Sequence, residues 1–185
     1  MNLVGIDEVG RGAIAGPVVA CAVILPHNYS NNDIIDSKKI KPAKRKYLAD
    51  YLKNIVIDMG LGVVCANVID SINILNATKQ AMQLALSKLT KKYSLVITDA
   101  VKLKSIQVAH INPVKAEDKY ISVAAASIIA KVYRDNLMIN LSKYFPDYGW
   151  NVNMGYGTIK HFEVIRQKGC SFLHRKSFLK KYYNE

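Results

Sequence analysis

The stretch that decides the fold is Leu3-Val4-Gly5-Ile6-Asp7-Glu8-Val9-Gly10-Arg11-Gly12, which an apolar run from Val18 to Leu25 soon follows. Leu3 to Ile6 has the composition of a short buried strand, and the β-branched run predicts a second one. The glycines between them predict a tight turn. Two carboxylates therefore come directly after a buried strand, where an acid is costly unless it is paired or binds a cation.

Strands and helices are predicted to alternate along the rest of the chain. Pro42 is a natural first residue of a helix, Asn73 is a natural helix cap, and Leu95 to Ile97 predicts a short buried strand that ends at Asp99. The other predicted elements are a strand over 55–68, a long helix over 122–144 and a shorter helix over 158–168. This order predicts an α/β fold, a mixed sheet flanked by helices, with a helical appendage after it.

The composition indicates one globular domain with a polyanionic partner. Of the 185 residues, 50% are apolar, and 26 Lys and Arg stand against 14 Asp and Glu, which gives a net charge of +12. This surplus favours nucleic acid as the partner, although a protein that is simply basic is an equally good interpretation of charge alone. The three cysteines are far apart in the sequence and fit neither a disulfide framework nor a zinc site.

No segment predicts export or a membrane span. The longest apolar stretch, Ala13 to Leu25, contains Gly16 and Pro17 and is shorter than the ~20 residues of a spanning helix. Acids stand near the N-terminus, where a signal peptide carries positive charge. We therefore expect a cytoplasmic protein without membrane contact.

Four acidic residues lie in apolar surroundings that need an explanation: Asp7, Glu8, Asp99 and Asp135. Carboxylates at the ends of adjacent strands are hard oxygen ligands, suited to Mg²⁺ or Mn²⁺. Two such ions can clamp the attacking and leaving oxygens when a phosphodiester is displaced in line. Consecutive strand residues point to opposite faces, so Asp7 and Glu8 share a site only if the strand twists or ends there, which Gly10 allows.

A polar line runs along the long predicted helix, where Ser127, Lys131 and Asp135 recur every four residues. Such a line can face a functional site. The alternative is a partly buried ion pair between Lys131 and Asp135. The helix pattern alone favours neither interpretation.

The glycine-rich turn nearly matches two nucleotide-binding motifs and fails both. Arg11 and Gly12 replace the lysine and the hydroxyl residue of a phosphate-binding loop. Gly16-Pro17 and a β-branched run stand where a dinucleotide-binding fold needs a helix. What remains is a turn that a ligand can approach closely, with a guanidinium suited to a phosphate or a sugar hydroxyl. A tight hairpin with an exposed arginine is the alternative.

Aromatic and basic residues concentrate in two stretches. Ten of the sixteen Phe, Trp and Tyr lie between Tyr144 and Tyr183, among cations. This mixture suits a surface that stacks on sugars or bases while it binds phosphates, or the docking of a small C-terminal unit on the core. Lys38 to Lys46 holds six cations in nine residues and is a candidate phosphate-binding stretch.

Six ordered blocks together resemble the ribonuclease HII family over nearly the whole chain. They are Gly5 to Gly12 with Gly16-Pro17-Val18, Asp36 to Lys39, Asn73 to Thr78, Ala124 to Val132 with Arg134-Asp135, Gly155 to Thr158, and His174 to Phe178. The resemblance implies one domain over 1–185, with an RNase H-like mixed sheet over about 1–145 and a small helical substrate-binding extension over about 146–185. It also implies a monomeric endoribonuclease that uses Mg²⁺ or Mn²⁺, with two ions in the catalytic state.

The implied substrates are RNA in RNA–DNA hybrids and single ribonucleotides embedded in duplex DNA. Cleavage on the 5′ side of the ribonucleotide would leave 3′-hydroxyl and 5′-phosphate ends and would serve to remove ribonucleotides from DNA. Two alternatives are a non-catalytic hybrid-binding module and another metal nuclease of RNase H-like fold, such as a resolvase or a transposase-like enzyme. The acids argue against the first, and the Gly-Arg-Gly turn with Tyr156 argues against the second. The sequence carries no signal for or against a sliding-clamp partner.

The resemblance further implies roles for individual residues. Asp7, Glu8 and Asp99 match three of the family's four catalytic, metal-binding acids. The fourth is assigned to Asp118, in the stretch Lys115-Ala116-Glu117-Asp118, where Glu117 stands at a position that is usually glycine. Arg134-Asp135 matches a structural pair. The residues implied to bind substrate are Gly10, Arg11 and Gly12 at the 2′-hydroxyl, Tyr156 at the next deoxyribose, Lys38 at a phosphate and Asn73 at the backbone, with Ser127 added from the polar line of the helix.

Overall fold

The sheet at the centre of the molecule is mixed, as predicted. The computed structural model describes residues 2–104 and 106–183. The strands within them are β1 (Leu3–Val9), β2 (Val18–Ile24), β3 (Asp58–Val64), β4 (Leu95–Thr98) and β5 (Ala109–Ile111). They lie side by side in the order β3-β2-β1-β4-β5. The pairs β1–β2 and β2–β3 are antiparallel, whereas β1–β4 and β4–β5 are parallel.

Helices cover both faces of this sheet. They are α1 (Pro42–Ile55), α2 (Ala66–Ser87), α3 (Ile121–Ser142), α4 (Trp150–Asn153), α5 (Ile159–Lys168) and α6 (Lys176–Tyr183). Short 3₁₀ turns occupy Ser37–Lys39, Ala116–Asp118 and Pro146–Tyr148. The α/β class predicted from the order of elements is therefore confirmed.

β2 is buried along its whole length. Ala20 and Ala22 belong to the core cluster on the side of α2, whereas Cys21 and Val23 belong to the cluster that α1 and α3 build on the other side. A strand covered on both faces has no polar side, which explains its unbroken apolar sequence.

α3 crosses β1 at very short range. A Cβ built on Gly5 would lie 2.3 Å from the backbone carbon of Ser122 and 2.4 Å from the nitrogen of Val123, so only glycine fits there. This close approach brings Ser127, further along α3, toward the carboxyl end of β1, where the acids lie.

Three elements differ from the sequence-based expectation. β1 continues to Val9, and α2 begins at Ala66, inside the stretch predicted to be a strand. The edge strand β5 was not predicted, because three residues carry too little pattern. Asn73 interrupts α2 with a φ of +65°, and its side-chain oxygen accepts a hydrogen bond from the N–H of Asn76 at 3.1 Å. Its predicted capping role is confirmed.

The C-terminal extension, residues 146–183, docks on the core through α6. Asp70 of α2 accepts hydrogen bonds from the backbone N–H groups of Lys176 and Ser177, both at 2.9 Å. The first N–H groups of a helix have no partner within the helix, so this carboxylate anchors the start of α6. None of the described helices is both long and apolar enough to cross a membrane.

Candidate active site

The carboxyl ends of β1 and β4 place three acids at one edge of the sheet. The two strands are parallel neighbours in which Ile6 lies opposite Thr98, so Asp7 and Asp99 are the next residues of adjacent strands. Glu8 follows Asp7 within β1. The fold therefore gathers three of the four acids that their burial cost singles out in the sequence.

Burial and mutual repulsion act on Asp7 and Glu8. Burial, followed by the charge of Glu8, raises the pKa of Asp7 well above its usual value. Burial also raises the pKa of Glu8, although the guanidinium of Arg11 opposes this rise. The charge of Asp99 raises the pKa of both. A bound cation relieves such a gathering of like charges.

The two neighbouring acids of β1 have different hydrogen-bond partners. Asp7 is hydrogen-bonded to Ser127 of α3 and accepts from the N–H of Glu8 at 2.8 Å. Glu8 Oε1 accepts from Arg11 Nη1 at 3.1 Å, whereas its Oε2 is buried with no hydrogen-bond partner among the described residues. Among the residues that the structure describes, no group of three or more His, Cys, Asp and Glu side chains is arranged closely enough to hold a metal ion.

The 3₁₀ turn Ala116–Asp118 brings a fourth acid to this edge. The N–H of Ala116 donates to Asp99 Oδ1 at 3.0 Å, which fixes the turn beside the end of β4. Burial raises the pKa of Glu117, and the charge of Asp99 adds to the rise. Glu117 Oε2 is also buried without a hydrogen-bond partner in the described chain. We call Asp7, Glu8, Asp99 and Glu117 the acid cluster.

Asp118, the residue expected from the resemblance, has no described contact with the acid cluster. It is exposed, and its Oδ1 lies 2.7 Å from Lys39 Nζ, a contact that holds the pKa of Asp118 below its usual value. Successive side chains of a 3₁₀ turn are about 120° apart, so two neighbours cannot face the same site. Composition does not distinguish two adjacent acids, and only the geometry of the turn favours Glu117.

The side-chain chemistry of the acid cluster suits a hard divalent cation. All its side-chain donors are carboxylate oxygens, the ligands that Mg²⁺ and Mn²⁺ prefer. Two of these oxygens are buried without partners, and a buried charge is costly until it is neutralised. The residues that would hold such ions are Asp7, Glu8, Asp99 and Glu117.

The glycine turn, Gly10-Arg11-Gly12, begins where β1 ends. Gly10 has a φ of +89°, and a Cβ there would lie 2.2 Å from Arg134 Nε, so the position requires glycine. Arg11 is about half exposed and reaches back to Glu8. The turn therefore lies directly beside the acid cluster.

Tyr156 lies in the C-terminal extension, close to two cations of α3. Its ring centroid is 6.0 Å from Lys131 Nζ and 5.5 Å from Arg134 Cζ. Its carbonyl oxygen lies 2.9 Å from Nδ1 of His161, which is buried. An aromatic ring held among cations suits contact with a sugar-phosphate chain.

The remaining substrate-binding candidates differ in position. Ser127 borders the acid cluster, because it is hydrogen-bonded to Asp7 and its Oγ lies 2.9 Å from Ser37 Oγ. Lys38 is exposed, and its charge lowers the pKa of Glu117. Asn73 is exposed on α2, where its side-chain oxygen serves the helix, and no described contact joins it to the acid cluster.

Asp135 is not part of the acid cluster. Its Oδ1 lies 2.8 Å from Lys131 Nζ, which confirms the ion-pair alternative for the polar line of α3. Its Oδ2 lies 3.8 Å from Arg45 Nη1, in α1. The polar line therefore divides, with Ser127 beside the acid cluster and the other two members paired with each other.

The implied pairing of Arg134 with Asp135 is not formed. Arg134 is completely buried and donates instead to the carbonyl oxygens of Pro17, Met154 and Ala15, at 2.9, 2.8 and 3.1 Å. Adjacent residues of an α-helix are about 100° apart, so Arg134 faces the extension while Asp135 faces α1. Both residues are structural, but each has its own partners.

A mixed sheet whose parallel strands end in carboxylates, with a glycine turn beside them, defines a metal-dependent nuclease of RNase H-like fold. The family model described as ribonuclease HII matches residues 4–181, and the chain belongs to this family. It is therefore a metal-dependent ribonuclease.

Individual relatives agree with this assignment. Ribonuclease HII of Acetivibrio thermocellus is 44% identical over 97% of this chain and 70% of its own, and that of Listeria innocua is 46% identical over 95% and 67%. Among solved structures, ribonuclease H2 from Pyrococcus horikoshii OT3 matches with a TM-score of 0.81 and 24% identity, over 100% of both chains. RNase HII of Archaeoglobus fulgidus, solved in complex with PCNA, matches with a TM-score of 0.73 and 25% identity, over 95% of this chain and 94% of its own.

Proposed function

We propose that this ribonuclease cleaves RNA in RNA–DNA hybrids and cuts 5′ of single ribonucleotides embedded in duplex DNA, leaving 3′-hydroxyl and 5′-phosphate ends. The observation that carries the proposal is the glycine turn directly beside the acid cluster, joined to it by the 3.1 Å contact between Arg11 and Glu8. Chemistry and ribose recognition then share one place. The catalytic acids of this proposal are Asp7, Glu8, Asp99 and Glu117, with Glu117 in place of Asp118.

The chain's own residues orient the acids and leave donors for the substrate. Bound Mg²⁺ or Mn²⁺, two ions in the catalytic state, would supply the positive charge that stabilises the scissile phosphate and its leaving oxygen. Asp7 is held by Ser127 and by the N–H of Glu8, so its carboxylate has a fixed direction. Arg11 offers one N–H to Glu8, and its exposed remainder is free to contact a phosphate.

Selection of the ribonucleotide rests on the glycine turn and on Tyr156. A 2′-hydroxyl is the group that separates RNA from DNA, and a glycine backbone lets it come close enough for hydrogen bonds. A flat ring under the next sugar would leave no room for a second hydroxyl. Lys38 and the rest of the stretch from Lys38 to Lys46 would hold the phosphates on either side.

The deciding experiment offers the protein two DNA duplexes of one sequence, one with a single embedded ribonucleotide and one without. With Mg²⁺ or Mn²⁺ present, we expect one cut, 5′ of the ribonucleotide, and none in the all-DNA duplex. An RNA–DNA hybrid of the same sequence is expected to be cut at several positions. The proposal fails if both duplexes are cut, as by a metal nuclease without ribose selectivity, or if neither is.

We also propose that the protein acts as a monomer in the cytoplasm to remove ribonucleotides from DNA. Light scattering behind size-exclusion chromatography checks the first part. A mass of about 20.6 kDa, that of one chain, is the expected result.

A further inference from the structure

Arg175 is a completely buried arginine that ties the C-terminal extension to the glycine turn. Its Nη2 donates to the carbonyl of Gly10 at 2.7 Å, its Nη1 to that of Arg11 at 2.9 Å and its Nε to that of Gly16 at 3.0 Å. Its backbone N–H donates to the carbonyl of Ile14 at 2.8 Å. One residue, more than 150 positions along the chain, thus holds four carbonyls of the segment that follows β1.

Arg175 carries its charge in a buried place. Among the described residues it forms no salt bridge. Its charged neighbours include Arg134, a second buried cation whose charge opposes it, and the carboxylate of Asp70, whose charge favours it. Burial, together with the charge of Arg134, lowers the pKa of Arg175 to about 9. The guanidinium stacks over the Phe178 ring, with 5.2 Å from Cζ to the ring centroid. We call Arg134 and Arg175 the guanidinium pair.

A lysine could not replace this guanidinium. Arginine presents its donors in a rigid planar fork, and here three of them reach three separate carbonyls. An ammonium at the end of a flexible stem is a single point and cannot span the same acceptors. The burial cost of this cation is therefore offset by its hydrogen bonds to the three carbonyls, which at the same time fix the segment that carries them.

The direction of these carbonyls determines the direction of the neighbouring N–H groups. In a trans peptide the carbonyl of one residue and the N–H of the next point to opposite sides, and no cis peptide is present in the described chain. The carbonyls of Gly10 and Arg11 point inward to Arg175, so the N–H groups of Arg11 and Gly12 point outward. Neither N–H has an acceptor in the part of the chain that the structure describes.

We propose that Arg175 is a positioning residue for ribose recognition: from the C-terminal extension it fixes two peptide planes of the glycine turn so that the N–H groups of Arg11 and Gly12 face the substrate. The inference rests on the proposed function, because it deepens how the glycine turn recognises a ribonucleotide. It gives the C-terminal extension a role in the selection of ribonucleotides, in addition to its role as a substrate-binding surface.

The test measures recognition apart from cleavage. In an Asp7→Asn background, which is expected not to cut, the dissociation constant is measured for the all-DNA duplex and for the duplex with one ribonucleotide, with Mg²⁺ present. The dissociation constant of the all-DNA duplex divided by that of the duplex with one ribonucleotide measures the selectivity for ribose. Arg175→Lys is expected to lower this ratio about tenfold, since hydrogen bonds worth about that much are misdirected. Arg166→Lys, an exposed arginine of α5, serves as the matched control and is expected to keep the ratio.

Each outcome decides the inference. A merely structural role of Arg175 would lower the melting temperature and leave the ratio unchanged, and that result would overturn the inference. If Arg175→Lys does not fold, Phe178→Leu loosens the guanidinium while it keeps all donors, and a ratio about threefold lower is then expected by the same reasoning. An unchanged ratio in that variant overturns the inference equally. A ratio near one in the Asp7→Asn parent would instead count against the proposed ribose recognition itself.

Discussion

The acid cluster and the guanidinium pair both contact the glycine turn, and both gather like charges in a buried place. They differ in how their polar atoms are satisfied. The two guanidiniums donate to six backbone carbonyls at 2.7 to 3.1 Å. The acids leave two buried carboxylate oxygens without any partner among the described residues. Buried charges whose hydrogen bonds are satisfied stabilise the structure, whereas buried charges without partners mark a place where a ligand binds.

This difference predicts opposite effects on stability. Removing a charge from the acid cluster relieves repulsion and leaves no donor without an acceptor. Removing a guanidinium leaves several buried carbonyls without a donor, each at a cost of about 1–3 kcal/mol. Function and stability are therefore opposed in the acid cluster and aligned in the guanidinium pair.

The largest expected effect is that of Asp7→Asn on cleavage. We expect a loss of about a thousandfold or more in kcat, since several kcal/mol of charge stabilisation disappear at about 1.4 kcal/mol per factor of ten. Because the raised pKa of Asp7 means that its ionised form is disfavoured in the folded protein, neutral Asn is expected to raise the melting temperature at pH 7 in metal-free buffer.

Asp50→Asn is the matched control, because this acid is exposed and its ion pair, with Lys53 at 2.9 Å, lies at the surface. It is expected to change neither kcat nor the melting temperature by a measurable amount. Near-normal cleavage by Asp7→Asn would remove Asp7 from the acid cluster. A lower melting temperature would contradict the account of its burial.

The second prediction concerns the guanidinium pair. Arg134→Met keeps much of the buried volume but removes the donors to the carbonyls of Ala15, Pro17 and Met154. We expect the free energy of unfolding to fall by about 3 kcal/mol or more, measured by urea denaturation at pH 7. A variant as stable as the wild type would show that water replaces the guanidinium, and the contrast between the two clusters would collapse.

The third prediction separates two adjacent acids. Glu117→Gln is expected to lower kcat about a hundredfold, because Glu117 lies within the electrostatic reach of Asp99 and has a buried oxygen without a described partner. Asp118→Asn is expected to change kcat less than about threefold, since it removes only an exposed ion pair with Lys39. The two variants are each other's control. The opposite ranking would return the fourth position of the acid cluster to Asp118.

The sequence predicts well what depends on burial. The unbroken run of β2, the helix from Pro42 and the cap at Asn73 all follow from local pattern, because each element meets its requirements with its own residues. The boundary between β3 and α2 does not, since apolar residues occupy both sides of it. Propensity and periodicity reveal which segments are buried, but they do not reveal where a buried segment changes from strand to helix.

Within the candidate site, three of the four acids follow from the cost of an acid after a buried strand. Glu117 does not, because two adjacent acids of one 3₁₀ turn differ only in the direction of their side chains, which the sequence does not reveal. Arg134 and Arg175 are harder still to find. A buried arginine satisfied by carbonyls looks in sequence like any surface cation, since its acceptors are backbone atoms that every residue carries. The family resemblance places both arginines in matching blocks without giving their backbone acceptors.

The smallest expected effect is that of Asp135→Asn, which tests a paired carboxylate of α3 against the acid cluster. Its partners, Lys131 at 2.8 Å and Arg45 at 3.8 Å, are mostly buried with it. We expect a loss of about 1 kcal/mol, seen as a melting temperature lower by about 2–4 °C, with kcat within about twofold of wild type. Lys131→Gln is expected to give a similar shift in the melting temperature, since it breaks the same pair. A stable but inactive Asp135→Asn protein would mean that a carboxylate paired with cations also serves catalysis. The distinction between structural charges and charges that bind a ligand would then be wrong at this position.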